Sequence, residues 1–427
     1  MKFLIYIGIL LLALPVMAQD DIYPAKKQEG VLVINNGTIH TGTGQVIPQG
    51  TVVVENGKIR KVSGQPETIA GATVVDATGK HIYPGLILSS TDLGLREIIS
   101  GVRGSNDYYE IGDYNPDVRS VVAYNTDSKV INTLRSNGIL LANIVPAGRL
   151  LTGSSSVVQL DAWTWEDALY KADNGMFLDL PALLRSPRET AGASDPVKAG
   201  MKRIEDLKAF FREAKAYAAA PEKKETNLKF EALRPLFEKK QKLFINADIS
   251  RQILMAIDFV KTFDINVVIV GGSDSYLLAD LLKQNNIPVI LNSVHVLPTL
   301  EDDDVDQPFK TPAQLKKAGV LFALNDNEST PRYRNLAFMA GTAAAYGLSK
   351  EEALQAITLD AAKILGIDDR TGSLEEGKDA NIVIAAGDIL DMDQSIITAA
   401  YIQGRQIDLS NKHTQLYERY KHRYGLQ

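Results

Sequence analysis

The sequence contains no cysteine and has only five histidines among its 427 residues. The absence of cysteine excludes disulfide bonds, thiolate metal sites, a cysteine nucleophile and lipid attachment to an N-terminal cysteine. Charge of one sign is not in large excess, because 46 lysines and arginines stand against 52 aspartates and glutamates, for a formal charge of −6. This balance gives no general reason to expect nucleic acid or an anionic membrane as a partner. The composition is that of an ordinary globular protein, 45% hydrophobic and 23% charged.

Long apolar runs are also rare, and the most apolar one lies at the start of the chain. Lys2 is followed by an apolar run over residues 3–14, then by Pro15 and a small-residue pattern that ends at Ala18. This arrangement is typical of a secretory signal peptide and is too short for a permanent membrane span. We therefore predict a signal peptide over residues 1–18, export to a periplasmic or extracellular space, and a soluble mature chain.

The pattern of apolar runs and turns changes near residue 84. Residues 31–75 indicate short strands separated by turns such as Asn36-Gly37 and Asn56-Gly57, which are strong hairpin signals. Further along, short apolar runs alternate with helix-length segments, as in the parallel strand–helix units of a (β/α)8 TIM-type barrel. Seven barrel strands are evident, and residues 176–180 are the candidate for the eighth. The seven cover residues 86–88, 139–145, 157–160, 242–247, 266–270, 288–291 and 320–324.

Strands return after the barrel, and a charged segment typical of a helix ends the chain. We therefore predict an α/β protein in which a barrel over residues 84–374 is inserted into a small composite β-sandwich domain. That domain is predicted to combine residues 25–83 with residues 375–410. Residues 411–427 are predicted to form a C-terminal helix, and residues 185–242, which are rich in Lys, Glu and Ala, to form helices outside the barrel.

Three stretches resemble the metal-dependent amidohydrolase superfamily, and most closely its imidazolonepropionase-like branch. They are VDATGKHIYPGLI at residues 75–87, AAKILG followed by GSLEEGKDA at residues 361–380, and the Gly-Arg pair at residues 404–405. The resemblance spans residues 31–409 and implies a (β/α)8 barrel with a composite β-sandwich. It also implies hydrolysis of C–N bonds in cyclic or linear amides, for which family members use a divalent cation that activates water.

The residues that hold this cation in the family are largely replaced here. The resemblance places a His-x-His pair at Ser90 and Asp92, a strand-five histidine at Asn246 and a strand-six histidine at Gly271. Only the strand-eight aspartate is retained, as Asp326. Hydroxyl and amide groups are poor zinc ligands, and glycine supplies no side chain. We therefore predict no resident cofactor beyond a divalent cation held weakly, through oxygen, by Asp92 and Asp326.

Other residues are candidates for a site at the barrel mouth. His295 follows a predicted strand and is the one histidine expected there, although a lone histidine is more often structural. Arg149 and Ser154 belong to a segment rich in Gly and Ser, predicted as a mouth loop, and with Asn246 they are the candidate ligand-binding residues. The acidic run over residues 301–306 lacks the EF-hand pattern and is predicted to be a solvated loop that repels anions.

These observations leave three hypotheses about function. The first is an amidohydrolase-like protein that has lost most metal ligands and binds a small molecule or a protein partner at the barrel mouth, with weak catalysis or none. The second is an active amide or cyclic-amide hydrolase with an altered site built on Asp92, Asp326 and His295. The third is a subunit that associates with a catalytically intact relative. A homodimer is also expected, from the resemblance alone.

Overall fold

The computed structural model describes residues 23–97, 107–181, 183, 195–222, 225–297, 303–327 and 332–426. The predicted signal peptide and residues 301–302 of the acidic run lie outside these ranges. The strands are β1 (Val31–His40), β2 (Val46–Glu55), β3 (Lys58–Ser63), β4 (Thr73–Asp76), β5 (His81–Pro84), β6 (Leu86–Thr91), β7 (Ile139–Ile144), β8 (Leu151–Gln159), β9 (Leu169–Asp179), β10 (Lys242–Ala247), β11 (Val267–Gly271), β12 (Val289–Leu291), β13 (Phe322–Leu324), β14 (Ile382–Ala385), β15 (Ile397–Ile402) and β16 (Arg405–Gln406).

The described helices pack mainly around the barrel. They are α1 (Lys129–Arg135), α2 (Trp165–Ala168), α3 (Pro196–Ala219), α4 (Leu228–Phe237), α5 (Ser250–Phe263), α6 (Ala279–Gln284), α7 (Gln307–Ala318), α8 (Leu336–Ala345), α9 (Lys350–Ala356), α10 (Leu359–Leu365) and α11 (Lys412–Tyr424). Two of them, α3 and α4, are the predicted insertion, and α11 is the predicted C-terminal helix. Within the described ranges, no helix is both long enough and apolar enough to cross a bilayer.

Strands from both ends of the chain form one sheet. Its order is β16-β15-β14-β5-β1-β2-β3, with β4 beside β1. The two ends meet where β5 pairs antiparallel with β14, with Ile82 opposite Ile384. The alternating apolar residues of these strands form a separate small core that includes Ile34, Val52 and Tyr401. The sheet is therefore composite, as predicted, and its strands are joined in a single hydrogen-bonded order.

The second sheet is the barrel, in the order β13-β12-β11-β10-β9-β8-β7-β6. Its strands are largely buried, although β8 carries three consecutive serines, and the eighth strand is confirmed because residues 176–179 lie in β9. One strand differs from the predicted parallel pattern, since β8 runs antiparallel to both β7 and β9. The physical reason is the length of its connections. Residues 145–150 and 160–168 are too few for the crossover of a dozen or more residues that a parallel pair needs.

The seam between β6 and β13 is bridged by a side chain. The Asn325 carboxamide accepts a hydrogen bond from the Ser90 main-chain N–H at 3.0 Å and donates one to the Ser90 carbonyl at 3.0 Å. These two hydrogen bonds take the place of those that the main chain of a paired neighbouring strand would form with Ser90. At the other end of the seam, the Ile87 N–H donates to the Ile357 carbonyl at 3.0 Å. Asn325 is fully buried, so no water competes for these groups.

Replacing Asn325 by leucine is expected to lower the free energy of unfolding by about 2 kcal/mol, because the Ser90 N–H and carbonyl would lose their partners inside the protein. Urea unfolding followed by circular dichroism measures the change. A matched control is Asn125→Leu, at a position where the side chain bonds the exposed Glu97 carboxylate and the expected loss is smaller. An unchanged midpoint for Asn325→Leu would contradict the bridging role.

Candidate functional site

The carboxyl ends of the parallel barrel strands meet at one mouth, where catalytic and binding residues of such barrels lie. Asp92 follows β6 at this mouth, and its carboxylate is held on both oxygens. The Tyr333 hydroxyl donates to Oδ1 at 2.5 Å, and Arg96 lies 3.4 Å from Oδ2. Burial, with the negative charge of Asp92, raises the pKa of Tyr333, so this phenol keeps its proton and remains the donor. Asp92 is therefore tied to two neighbours.

Asn246, at the position that the sequence analysis assigned to the strand-five histidine, is also held by a neighbouring side chain. The Asn246 amide donates a hydrogen bond to Oδ1 of Asp179, which ends the adjacent strand β9. Burial raises the pKa of Asp179, and the bond from Asn246 partly offsets this rise. The side chains of Asn246 and Asp179 thus satisfy each other across neighbouring strand ends, near the carboxyl ends of β10 and β9.

At Gly271, the position that the sequence analysis assigned to the strand-six histidine, the neighbouring space is filled by Asp248. Gly271 has φ of +100°, and a Cβ built on it would lie 2.4 Å from Oδ1 of Asp248. Asp248 follows β10, and its carboxylate accepts a hydrogen bond from the Ser273 hydroxyl at 3.2 Å. Although Asp248 as a residue keeps exposed surface, its carboxylate faces Gly271 and Ser273, and this withdrawal from water raises its pKa. Any side chain at position 271 would have to displace Asp248.

Asp326 lies two residues beyond β13 and is fully buried. It therefore follows a strand at the same seam as Asp92, and these two predicted residues are placed at neighbouring strand ends. Within the residues that the structure describes, no group of three or more His, Asp or Glu side chains is arranged to hold a metal ion.

A cavity of about 310 Å³ opens beside these positions, at the ends of β10, β11 and β12 and under the start of α7. Its charged lining residues, among those described, are Asp248, Asp274 and Asp303, with no lysine or arginine. Tyr276 and Asn292 add polar groups, and the remaining surface is mixed, with Leu291, Val294 and Leu297 among its apolar side chains. Of the five charged and polar residues named here, the sequence analysis singled out only Asp303, as part of the acidic run over residues 301–306. The only signal for the other four was position, because each lies within five residues of the end of a barrel strand.

The other predicted residues do not line this cavity. His295 is exposed, its Nε2 lies 2.8 Å from the Thr342 hydroxyl of α8, and its ring meets the edge of Phe309 in α7. Arg149 lies in the short turn before β8 and is 3.9 Å from Asp113, with its side chain 65% exposed.

Ser154 is placed differently from the prediction. It lies inside β8 and not in a loop, because the antiparallel pairing with β9 begins at residue 151, and the pairing with β7 follows from residue 156. Its buried hydroxyl accepts a hydrogen bond from Gln241 at 3.2 Å. The predicted mouth loop is therefore limited to the turn around Arg149.

Comparison with known proteins places this geometry in a family. The family model described as "Amidohydrolase family" matches residues 264–407. The chain is 25% identical over 363 residues to an imidazolonepropionase of Thermoplasma volcanium, which covers 79% of this chain and 84% of that protein. It is also 32% identical over 115 residues to a dihydroorotase of Trichlorobacter lovleyi, which covers 24% of this chain and 25% of that protein.

Solved structures agree with this placement. An amidohydrolase from Thermotoga maritima superposes with a TM-score of 0.76 at 27% identity, covering 88% of this chain and 99% of that one. A Xaa-Pro dipeptidase with bound methionine shares the fold at a TM-score of 0.54 and 13% identity, covering 89% of this chain and all of that one. The shared barrel, the composite sheet and the sequence matches agree, and the chain belongs to the amidohydrolase superfamily.

Proposed function

We propose that the barrel mouth of this protein binds a ligand without the metal-dependent hydrolysis of its superfamily. One observation carries the proposal: the carboxylate of Asp248 occupies the space that a side chain at position 271 would need. A histidine cannot be accommodated there unless Asp248 moves. The strand-six ligand is thus not merely missing, because a neighbouring side chain has taken its place.

The other positions support the same proposal. Asn246 donates to Asp179, and Asp92 is held by Tyr333 and Arg96. At Ser90, the main chain bonds Asn325. A catalytic transition-metal centre needs several imidazole or carboxylate donors that converge on one point and leave a position for water. The residues present do not fit such a centre, and we derive no catalytic step through a metal.

The cavity indicates the kind of ligand. Its volume of about 310 Å³ lies at the small end of the range for small-molecule sites. Because its charged lining residues are all aspartates, anions are disfavoured and a neutral or positively charged ligand is preferred. Asp248, Tyr276 and Asn292 supply hydrogen-bonding groups that would orient such a ligand.

Metal content tests this proposal. Protein purified without chelator is expected to contain far less than one zinc, iron or manganese atom per chain by elemental analysis. The same result is expected after incubation with each metal and desalting, because weak oxygen ligands exchange quickly. Asp326→Asn serves as the matched variant and is expected to leave the metal content unchanged. A near-stoichiometric metal in the native chain that is lost in Asp326→Asn would overturn the proposal.

A further inference from the structure

The C-terminal helix α11 presents an aromatic face that the other described residues leave exposed. Tyr417, Tyr420 and Tyr424 are spaced three and four residues apart and therefore lie on one side of the helix. Their exposed fractions are 65%, 49% and 66%, and no residue of α11 is buried. Three adjacent exposed tyrosines are unusual on a surface that serves only solubility, because each could be replaced by a polar residue at no cost in packing.

The helix is anchored through its N-cap residue Asn411, and most of its residues are exposed. The Asn411 side chain accepts hydrogen bonds from the N–H groups of His413 and Thr414 at 2.8 and 3.1 Å. The same side chain donates to the Ser136 hydroxyl at 2.8 Å, which ties the start of α11 to the end of α1. A helix of 13 residues is marginally stable in water unless one face is packed. A partner on the tyrosine face would supply that packing.

Charge indicates the chemistry of the partner. Four cationic side chains and one anionic side chain give α11 a formal charge of +3, whereas the whole chain carries −6. Arg423 borders the tyrosine face three residues after Tyr420, and Lys421 borders its other side four residues after Tyr417. Arg419, four residues before Arg423, lies further round the helix on the same side as Arg423. These charges are not buried in ion pairs within the protein, since every residue of α11 keeps exposed surface. The helix is thus a local basic, aromatic element on an acidic protein.

We propose that α11 docks on an anionic lipid surface, lying in the plane of the headgroups. Tyrosine rings suit this position because they place an apolar body in the lipid and a hydroxyl in the headgroup layer. Arginines and lysines at the borders of the face would then meet the lipid phosphates. The binding is peripheral and does not involve the barrel mouth, so it is independent of the function proposed above.

A lipid surface fits better than a second protein. The face of a 13-residue helix is about 20 Å long and 10 Å wide. It offers far less than the ~800 Å² per partner that a specific protein interface buries. Membrane docking needs no such area and no shape complementarity, because shallow insertion combined with electrostatic attraction is sufficient.

Vesicle sedimentation tests the proposal, with the chain from Gln19 onward so that the apolar segment at residues 3–14 cannot insert. This chain keeps every residue that the structure describes. Partition onto vesicles of phosphatidylglycerol and phosphatidylcholine in equal amounts is expected to exceed partition onto phosphatidylcholine alone by about tenfold, and to weaken at high salt. Equal partition onto both vesicles, or none onto either, would overturn the proposal.

Two multiple variants test the basic and the aromatic side chains of α11 separately. The double variant Arg419→Glu/Arg423→Glu and the triple variant Tyr417→Ser/Tyr420→Ser/Tyr424→Ser are each expected to reduce partition about tenfold. Arg419→Lys/Arg423→Lys should bind as the parent does, and so should His422→Gln, which lies on the opposite face. Circular dichroism and gel filtration check that each variant is folded. If the tyrosine variant instead abolished a dimer while vesicle binding persisted, the face would be an interface between copies and the proposal would be wrong.

Discussion

Replacing Asp161 by alanine is expected to lower the free energy of unfolding by about 3–5 kcal/mol, because it would leave two guanidinium groups without their buried partner. The Asp161 carboxylate is completely buried and lies 2.6 Å from Arg135 and 2.9 Å from Arg405. It also accepts a hydrogen bond from the Ala25 N–H at 2.9 Å. Arg135 belongs to the barrel and Arg405 to the composite sheet, so one carboxylate connects the two.

Urea and thermal unfolding of the Asp161→Ala variant would measure this effect. Glu55→Ala is the matched control, since Glu55 forms an ion pair with Arg60 at 3.2 Å in which both side chains are well exposed. Exposed pairs of this kind contribute about 1 kcal/mol or less. If Asp161→Ala were no more destabilising than Glu55→Ala, the buried carboxylate would not hold the two parts of the fold together.

Placing a histidine at position 271 is expected to destabilise the protein by about 2–4 kcal/mol. The backbone at this position has φ of +100°, which costs a residue other than glycine about 1–3 kcal/mol. The new Cβ would also lie 2.4 Å from the Asp248 carboxylate, so Asp248 would have to turn away and lose its hydrogen bond from Ser273, which costs about 1 kcal/mol. Gly271→His is therefore expected to unfold at lower urea concentration without gaining a metal site.

Alanine variants separate the two contributions. Gly377 has φ of +88°, and a Cβ added there would have no atom within 4 Å, so Gly377→Ala reports the backbone cost alone. Gly271→Ala is expected to lose more stability than Gly377→Ala. In an Asp248→Ala background the excess should disappear, because the clash is gone while the backbone cost remains. Equal losses for Gly271→Ala and Gly377→Ala would show that Asp248 does not fill the site.

Most of the fold could be predicted from the sequence because apolar runs and turns report local structure directly. The hairpin signal at Asn56-Gly57 corresponds to the turn between β2 and β3. The signal at Asn36-Gly37 was wrong, because these residues lie inside β1 at an irregularity in its pairing with β2, and the turn between these two strands is at residues 41–45. The direction of β8 was missed because an apolar run looks the same in a parallel and an antiparallel strand. Only the short connections on either side of β8 carried that information.

The site was less predictable because its features depend on contacts between distant elements. Asp248 is two residues beyond Asn246, yet its importance arises from a glycine in the next strand. His295 was singled out by residue type, and the helices α7 and α8 determine where its ring lies. The signal peptide, the cellular location, the oligomeric state and the roles of Asp92, Asp326, Arg149 and Asn246 remain predictions.

The pairing of β5 with β14 also affects how the chain reaches its native state. Ile82 meets Ile384 only after the intervening barrel residues have been made, and β15 and β16 complete the sheet later still. Contacts between such distant positions slow folding, since a very large loop must close before they form. During synthesis the early strands β1 to β5 therefore wait with one edge of β5 unpaired until β14 leaves the ribosome. A chaperone that shields this edge would raise the yield of native protein.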